Sequence, residues 1–99
     1  MKLHVNLQDG FNGDEVKISI NNKQVYHKKN VKTRTQISLA DVLESQVNNG
    51  TAVIEIELVN KQIKQVIETQ VTDSLHIGVS VSAQNEIVYH IQHTPFHYM

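Results

Sequence analysis

The histidines at positions 4, 76 and 90 are the residues of this chain whose type and spacing could bind a metal ion. The chain has six histidines and no cysteine, so a thiolate site is excluded. His4, His76 and His90 each fall on the polar face of an alternating segment. If those three segments are neighbouring strands, the imidazoles could converge as a three-histidine site. Isolated surface histidines explain the same pattern, and no cofactor is predicted.

The end of the chain, residues 89–99, concentrates three histidines, two tyrosines and a phenylalanine. On an extended strand, residues three apart point to opposite faces, so His90 and His93 cannot chelate one ion while the strand holds. We expect a final strand followed by an aromatic cover over one end of the fold. Phe96 and Tyr98 are the candidate binding residues there, because exposed rings can stack on a carbohydrate.

The strongest charge asymmetry lies between residues 17 and 34, a segment without an acidic residue. Its cations are Lys17, Lys23, Lys28, Lys29, Lys32 and Arg34. A basic surface that carries a ring such as that of Tyr26 could bind phosphate or single-stranded nucleic acid. Tyr26, Lys28, Lys29, Lys32 and Arg34 are therefore candidate binding residues. Lysines on a sheet edge that discourage aggregation explain the same run, and the net charge of −1 argues against nucleic acid.

Catalytic motifs are missing from the sequence: there is no Gly-x-Ser-x-Gly, no phosphate-binding glycine loop and no His-Glu-x-x-His. Glu55 and Glu57 alternate along one strand, about 7 Å apart, which is a spacing that a glycosidase could use. Alternating glutamates are more commonly the solvent side of a strand. We therefore expect a protein that is not an enzyme.

The elements that must position these residues are strands, because apolar side chains recur with a period of two. The alternation is clearest at Leu3, Val5, Leu7, Val16, Ile18, Ile20, Ala52, Ile54, Ile56, Leu58, Leu75, Ile77, Val79, Val81, Ile87, Tyr89 and Ile91. Weaker alternation at 23–27 and 63–71 raises the number to seven or eight strands. Asparagine and glycine pairs lie between them at the spacing of hairpins or short loops.

The length of 99 residues leaves room for one domain, so residues 1–99 are predicted to form a single unit. Strands joined by short turns must mostly be antiparallel, and strands with one apolar face must form two layers or a closed barrel. We predict an all-β antiparallel sandwich, with an immunoglobulin-like, fibronectin-type or transthyretin-like layout. The absence of cysteine and tryptophan excludes an antibody-type core. A small five-stranded barrel is the alternative.

The segment 38–47 fits two structures. Ser38 and Asp41 resemble a capping box, which favours a short helix. Leu43 and Val47, four residues apart, share one face of a helix but also one face of a strand. Both interpretations are kept, and neither changes the fold class.

The function predicted from this pattern is binding of a protein partner or a carbohydrate, through loops or a sheet face. Nucleic-acid binding and metal binding are the alternatives. The apolar segment 52–59 could pair with a second copy if it lies at a sheet edge. The first ten residues lack the apolar run of a secretory signal, and no membrane-spanning stretch of about 18 apolar residues is present. A cytoplasmic location is expected if the N-terminus is native.

Overall fold

The computed structural model describes residues 2–96, which form two packed β-sheets of four strands each. The strands are β1 (Lys2–Leu7), β2 (Asn12–Ile20), β3 (Lys23–Lys32), β4 (Asp41–Gln46), β5 (Gly50–Leu58), β6 (Ile63–Val71), β7 (Leu75–Val81) and β8 (Ile87–Gln92). A 3-10 turn, Val59–Lys61, joins β5 to β6. The predicted all-β sandwich of seven or eight strands is confirmed, with eight strands, and the five-stranded barrel is not formed.

The strand order is β4-β1-β7-β8 in sheet 1 and β3-β2-β5-β6 in sheet 2. In an immunoglobulin domain the first two strands pair within one sheet, whereas here β1 and β2 lie in different sheets. All strand pairs are antiparallel except β1 with β7, which run parallel. No short turn links these two strands, so their relative direction is not constrained by a hairpin.

Hairpins join consecutive strands only within a sheet. Asn21 and Asn22, both with positive φ, form the turn between β2 and β3, as expected for a tight hairpin whose twist matches its strands. Asn49 and Gly50 instead lie where the chain crosses from β4 in sheet 1 to β5 in sheet 2. Asn49, with Gly50 at the start of β5, therefore belongs to a short loop between the sheets and not to a hairpin, because the strands on either side do not pair.

Within the segment 38–47, residues 41–46 form strand β4, so the strand interpretation is confirmed and the short helix is not formed. β4 pairs with β1 over six residues, from Lys2 opposite Gln46 to Leu7 opposite Asp41. A turn with Ser38 at φ 53° precedes it. Pairing supplies β1 with backbone partners on its outer side, which a helix at this position would leave unpaired.

The core lies between the sheets, where the alternating apolar residues of both layers interdigitate. Its buried apolar residues are Leu3, Val5, Leu7, Phe11, Val16, Ile18, Ile20, Val31, Ala52, Ile54, Ile56, Leu58, Ile67, Val71, Leu75, Ile77, Val79 and Val81. Almost all of them were identified by the period of two. No helix within residues 2–96 has the length and apolar character needed to cross a membrane.

The sandwich has two open sides, each formed by one edge strand from each sheet. β3 contacts β4 on one side and β6 contacts β8 on the other. β5 is internal, since it pairs with both β2 and β6. The segment 52–59 therefore cannot pair with a second copy, because both of its edges are already occupied.

Candidate functional site

A basic pocket on the β3–β4 side brings together the cations that the sequence singled out. We call it the basic corner, and its lining residues are Lys28, Lys29, Asn30, Val31, Lys32, Arg34, Ala40 and Asp41. Its volume is about 200 Å³. A larger pocket of about 330 Å³ on the same side has Lys23 as its single cation among the described residues. Positive charge is thus concentrated in the basic corner.

An irregularity in β3 explains how adjacent lysines reach one pocket. In a regular strand Lys28 and Lys29 would point to opposite faces of the sheet. The pairing of β3 with β2 shifts here, because Val16 is opposite Lys28 while Asp14 is opposite Val31. The extra residue in β3 is a β-bulge, which redirects side chains locally.

Asp41 is the one carboxylate in the basic corner, and it links the two sheets. Its Oδ2 accepts hydrogen bonds from Tyr26 Oη at 2.7 Å and Lys28 Nζ at 3.1 Å. Its Oδ1 accepts one from the backbone N–H of Val42 at 2.9 Å. Burial alone would raise the pKa of Asp41, but these three donors outweigh it and hold the pKa below its usual value. Asp41 is therefore ionised, and both of its carboxylate oxygens accept hydrogen bonds within the fold.

The remaining cations of the basic corner have no close acidic partner, although Glu15 interacts with Lys29 at longer range. Lys29, Lys32 and Arg34 form no ion pair within 4 Å among the residues that the structure describes. All three side chains are exposed. The segment 17–34 contains no acidic residue, but Asp41, which lies outside it, pairs with Lys28. The corner keeps a net positive charge after this pairing.

The loop that carries Arg34 is fixed by backbone contacts. Arg34 N–H donates to the carbonyl of Leu39 at 2.9 Å, which closes the turn before β4. The Thr33 hydroxyl donates to the Gln8 carbonyl at 2.6 Å and accepts from the Phe11 N–H at 3.1 Å. These bonds attach the loop to the connection between β1 and β2, so Arg34 is held by a fixed backbone.

The histidine candidates lie on the outer face of sheet 1, on neighbouring strands. His4 on β1 is directly opposite His76 on β7, and their rings stack at a centroid distance of 4.4 Å with an angle of 8° between planes. His76 is only 8% exposed, so its predicted solvent exposure is wrong. Burial first, and the neighbouring His4 second, lower the pKa of His76. Glu44 on β4 lies 3.7 Å from His4.

This geometry does not form the three-histidine site. His90 is opposite Gly78, one outward position further along the sheet than the row of His4 and His76. The lone pair of an imidazole lies in its ring plane, so two parallel stacked rings cannot both point at one ion. Within residues 2–96, no three histidine, aspartate or glutamate side chains are grouped as metal ligands.

The aromatic candidates are dispersed. Phe96 is half-buried and contacts His90 edge to face at 6.3 Å, while Tyr98 lies outside the described residues. Phe11 is buried in the core, and the Tyr26 hydroxyl bonds to Asp41. Tyr89 is the exposed aromatic ring of the described chain, at 45%. Residues 2–96 therefore do not bring several exposed rings together as a stacking surface for a sugar.

One buried polar site was missed by the sequence reasoning. Asp14 is fully buried on β2, where it accepts hydrogen bonds from the Asn12 N–H and Asn60 Nδ2 and pairs with Lys61 Nζ at 3.3 Å. Burial alone would raise the pKa of Asp14, but these donors hold it below its usual value. The signal in the sequence was the break in polarity at Asp14, which shares the parity of the inward-facing Val16 and Ile18.

Comparison of the chain with protein-family models, with curated proteins and with solved structures finds no match.

Proposed function

We propose that the protein is a non-enzymatic binding domain whose basic corner binds an acidic segment of a partner protein. The observation that carries this proposal is that Lys29, Lys32 and Arg34 line one pocket without an ion pair among the described residues. Cations on a fixed backbone form charge-assisted hydrogen bonds with carboxylates, which are about twice as strong as neutral ones. The arginine can hold a carboxylate through two parallel bonds.

The strand geometry favours an extended peptide as the ligand. β3 is an edge strand of sheet 2, so the cations of the basic corner lie along one open side of the sandwich, where they can bind the acidic side chains of an extended segment. Single-stranded nucleic acid is disfavoured because it needs aromatic rings on which bases stack. The nearest ring, that of Tyr26, is half-buried and bonded to Asp41. The net charge of −1 also provides no general attraction for a polyanion.

Fluorescence anisotropy with a labelled glutamate-rich peptide tests the proposal. Binding should weaken as salt rises from about 50 to 200 mM, because the contacts are ionic. The triple variant Lys29→Ala, Lys32→Ala, Arg34→Ala should raise Kd about tenfold or more. The matched control Lys2→Ala, Lys17→Ala, Lys23→Ala removes the same charge elsewhere and should change Kd less than about threefold.

Two results would overturn this function. If both triple variants weaken binding equally, the peptide responds to overall charge and the corner is not a site. If oligothymidylate binds more tightly than the peptide and the corner variant abolishes that binding, the ligand is nucleic acid.

A further inference from the structure

The free edge of β6 differs from the free edge of β3. β6 pairs with β5 through nine consecutive residues, from Ile63 opposite Leu58 to Val71 opposite Gly50, without a register shift. β3 carries several register shifts and four lysines. Bulges and lysines prevent edge-to-edge pairing, and a regular edge with few charges permits it. β6 therefore lacks the protection that β3 has.

Apolar surface accumulates on the same side of the molecule. Val66 on β6 is 47% exposed on the outer face of sheet 2. Tyr89 on β8 is opposite the buried Val79, so it belongs to the inner face of sheet 1, yet it is 45% exposed. Ile63 and Ile87 line a pocket between the two edge strands. Within residues 2–96, the core is thus incompletely covered along the β6–β8 side.

The sequence of β6 is complementary to itself when two copies run antiparallel. Around a two-fold axis through Val66, the two Val66 side chains lie opposite each other. Lys64 of each copy then lies opposite Glu68 of the other, so both charge pairs are attractive. Directly opposite residues on one face interact most strongly across strands, and opposite charges there are stabilising.

Other registers of the same pairing are worse. An axis through Glu68 places two glutamates opposite each other, and an axis through Lys64 places two lysines together. An axis through Ile67 sets the apolar Val66 against Glu68. The alternation of Lys64, Val66 and Glu68 on one exposed face therefore selects a single symmetric register.

We infer that the β6 edge is an interface with a second copy of this chain, paired antiparallel about Val66. The two copies of sheet 2 would join into one eight-stranded sheet, with a β3 edge at each end. The axis brings the open β6–β8 sides of the two copies together, where Ile63, Ile87 and Tyr89 can be covered. The contact is isologous, so assembly stops at the dimer.

Cysteine cross-linking tests the register, because the chain has no natural cysteine. Val66→Cys places two thiols across the axis at a separation that a disulfide can span. It should convert nearly all of the protein to a covalent dimer in air. Val42→Cys and Gln46→Cys on β4 are matched controls, since both residues are exposed on the opposite side of the sandwich, and they should cross-link only slowly.

Charge exchange tests the pairing independently. Light scattering of the natural chain should give twice the 11.3 kDa chain mass. Glu68→Lys creates two like-charge contacts per dimer and should raise the dimer Kd about tenfold or more. Lys64→Glu should do the same. An equimolar mixture of these two variants has only attractive pairs across the interface and should recover the dimer.

The inference is overturned if the natural chain is monomeric at about 100 µM, a concentration at which even weak specific dimers form. It is also overturned if Val66→Cys cross-links no faster than both controls, or if mixing the charge variants leaves them monomeric. Circular dichroism melting of each variant shows that it is folded. Peptide binding at the basic corner is measured separately, so failure of the dimer leaves that proposal standing.

Discussion

The hydroxyl of Tyr26, on an edge strand of sheet 2, donates a 2.7 Å hydrogen bond to Asp41 Oδ2, on an edge strand of sheet 1. It is a direct polar link between the two layers on the β3–β4 side. Burial is the larger cause of the raised pKa of Tyr26, and the Asp41 carboxylate is the smaller one. The phenol therefore remains a hydrogen-bond donor throughout the physiological pH range. The same carboxylate orients Lys28 at the basic corner.

Removing this hydroxyl should destabilise the fold without disrupting its packing. Tyr26→Phe should lower the free energy of unfolding by about 1–2 kcal/mol, since a hydrogen bond to a charged acceptor is lost. Urea titration measures the change. Tyr89→Phe, measured below the dimer Kd, is the control, because its ring is exposed in the single chain, and it should stay within about 0.5 kcal/mol of the natural chain. Equal effects of the two variants would show that the link to Asp41 contributes nothing.

Alanine substitutions at two glycines with left-handed backbone conformations can distinguish the cost of backbone strain from the cost of a steric clash. Gly10 has φ +86°, and a Cβ there would overlap the Val81 carbonyl group. Gly13 has φ +74° and no atom within 4 Å of such a Cβ. Gly13→Ala should cost about 1–2 kcal/mol from the backbone conformation alone. Gly10→Ala should cost clearly more in thermal or urea unfolding, and an equal cost would contradict the close approach to Val81.

The buried Asp14 should make the fold sensitive to acid. Its folded-state pKa is lower than its unfolded value near 3.8, so the unfolded chain binds more protons as pH falls. The stabilisation is present above pH 3.8 and is lost as pH falls through the folded-state pKa. Asp14→Asn should lower the free energy of unfolding at pH 7 by about 1–3 kcal/mol. It should also make that free energy less dependent on pH below pH 4. The exposed Asp9→Asn should leave both unchanged.

The stacked histidines should add a second, milder dependence on pH. The pKa of His76 is lowered from 6.5 in the folded chain, so protonation favours the unfolded state. Stability should be complete above about pH 6.5 and decline as pH falls through the folded-state pKa. Lys2 and Glu44 are the charged neighbours of this pair, and they bond to each other at 3.0 Å.

Thermal melts between about pH 5 and 7 isolate this effect, because carboxylates titrate at lower pH. His76→Gln should remove most of the slope in this range. His90→Gln replaces an exposed histidine on the next strand of sheet 1 and should leave the slope unchanged. A slope that survives in His76→Gln would assign it to other groups.

The sequence was sufficient to predict the features that depend only on residues close together in the chain. Alternation in Val16, Ile18 and Ile20 specifies which face of a strand is buried, because successive side chains point to opposite sides whatever lies beside the strand. The same rule failed for 38–47, since Leu43 and Val47 share a face in both a helix and a strand. Pairing with β1 decided that segment. The β-bulge that brings Lys28 and Lys29 to one pocket could not be predicted from the sequence either, because it depends on the register of β3 against β2.

The two-layer β fold, the apolar residues of its core and the basic character of 17–34 could all be predicted from local alternation and composition. The positions of His4 opposite His76, of β5 inside its sheet and of β6 at an edge without a described partner strand are known only from the folded structure. The physical reason is how far apart in the chain the interacting residues lie. A period of two is a property of residues that are neighbours in sequence. Strand order depends on backbone pairing between segments far apart in the chain, such as β1 with β7.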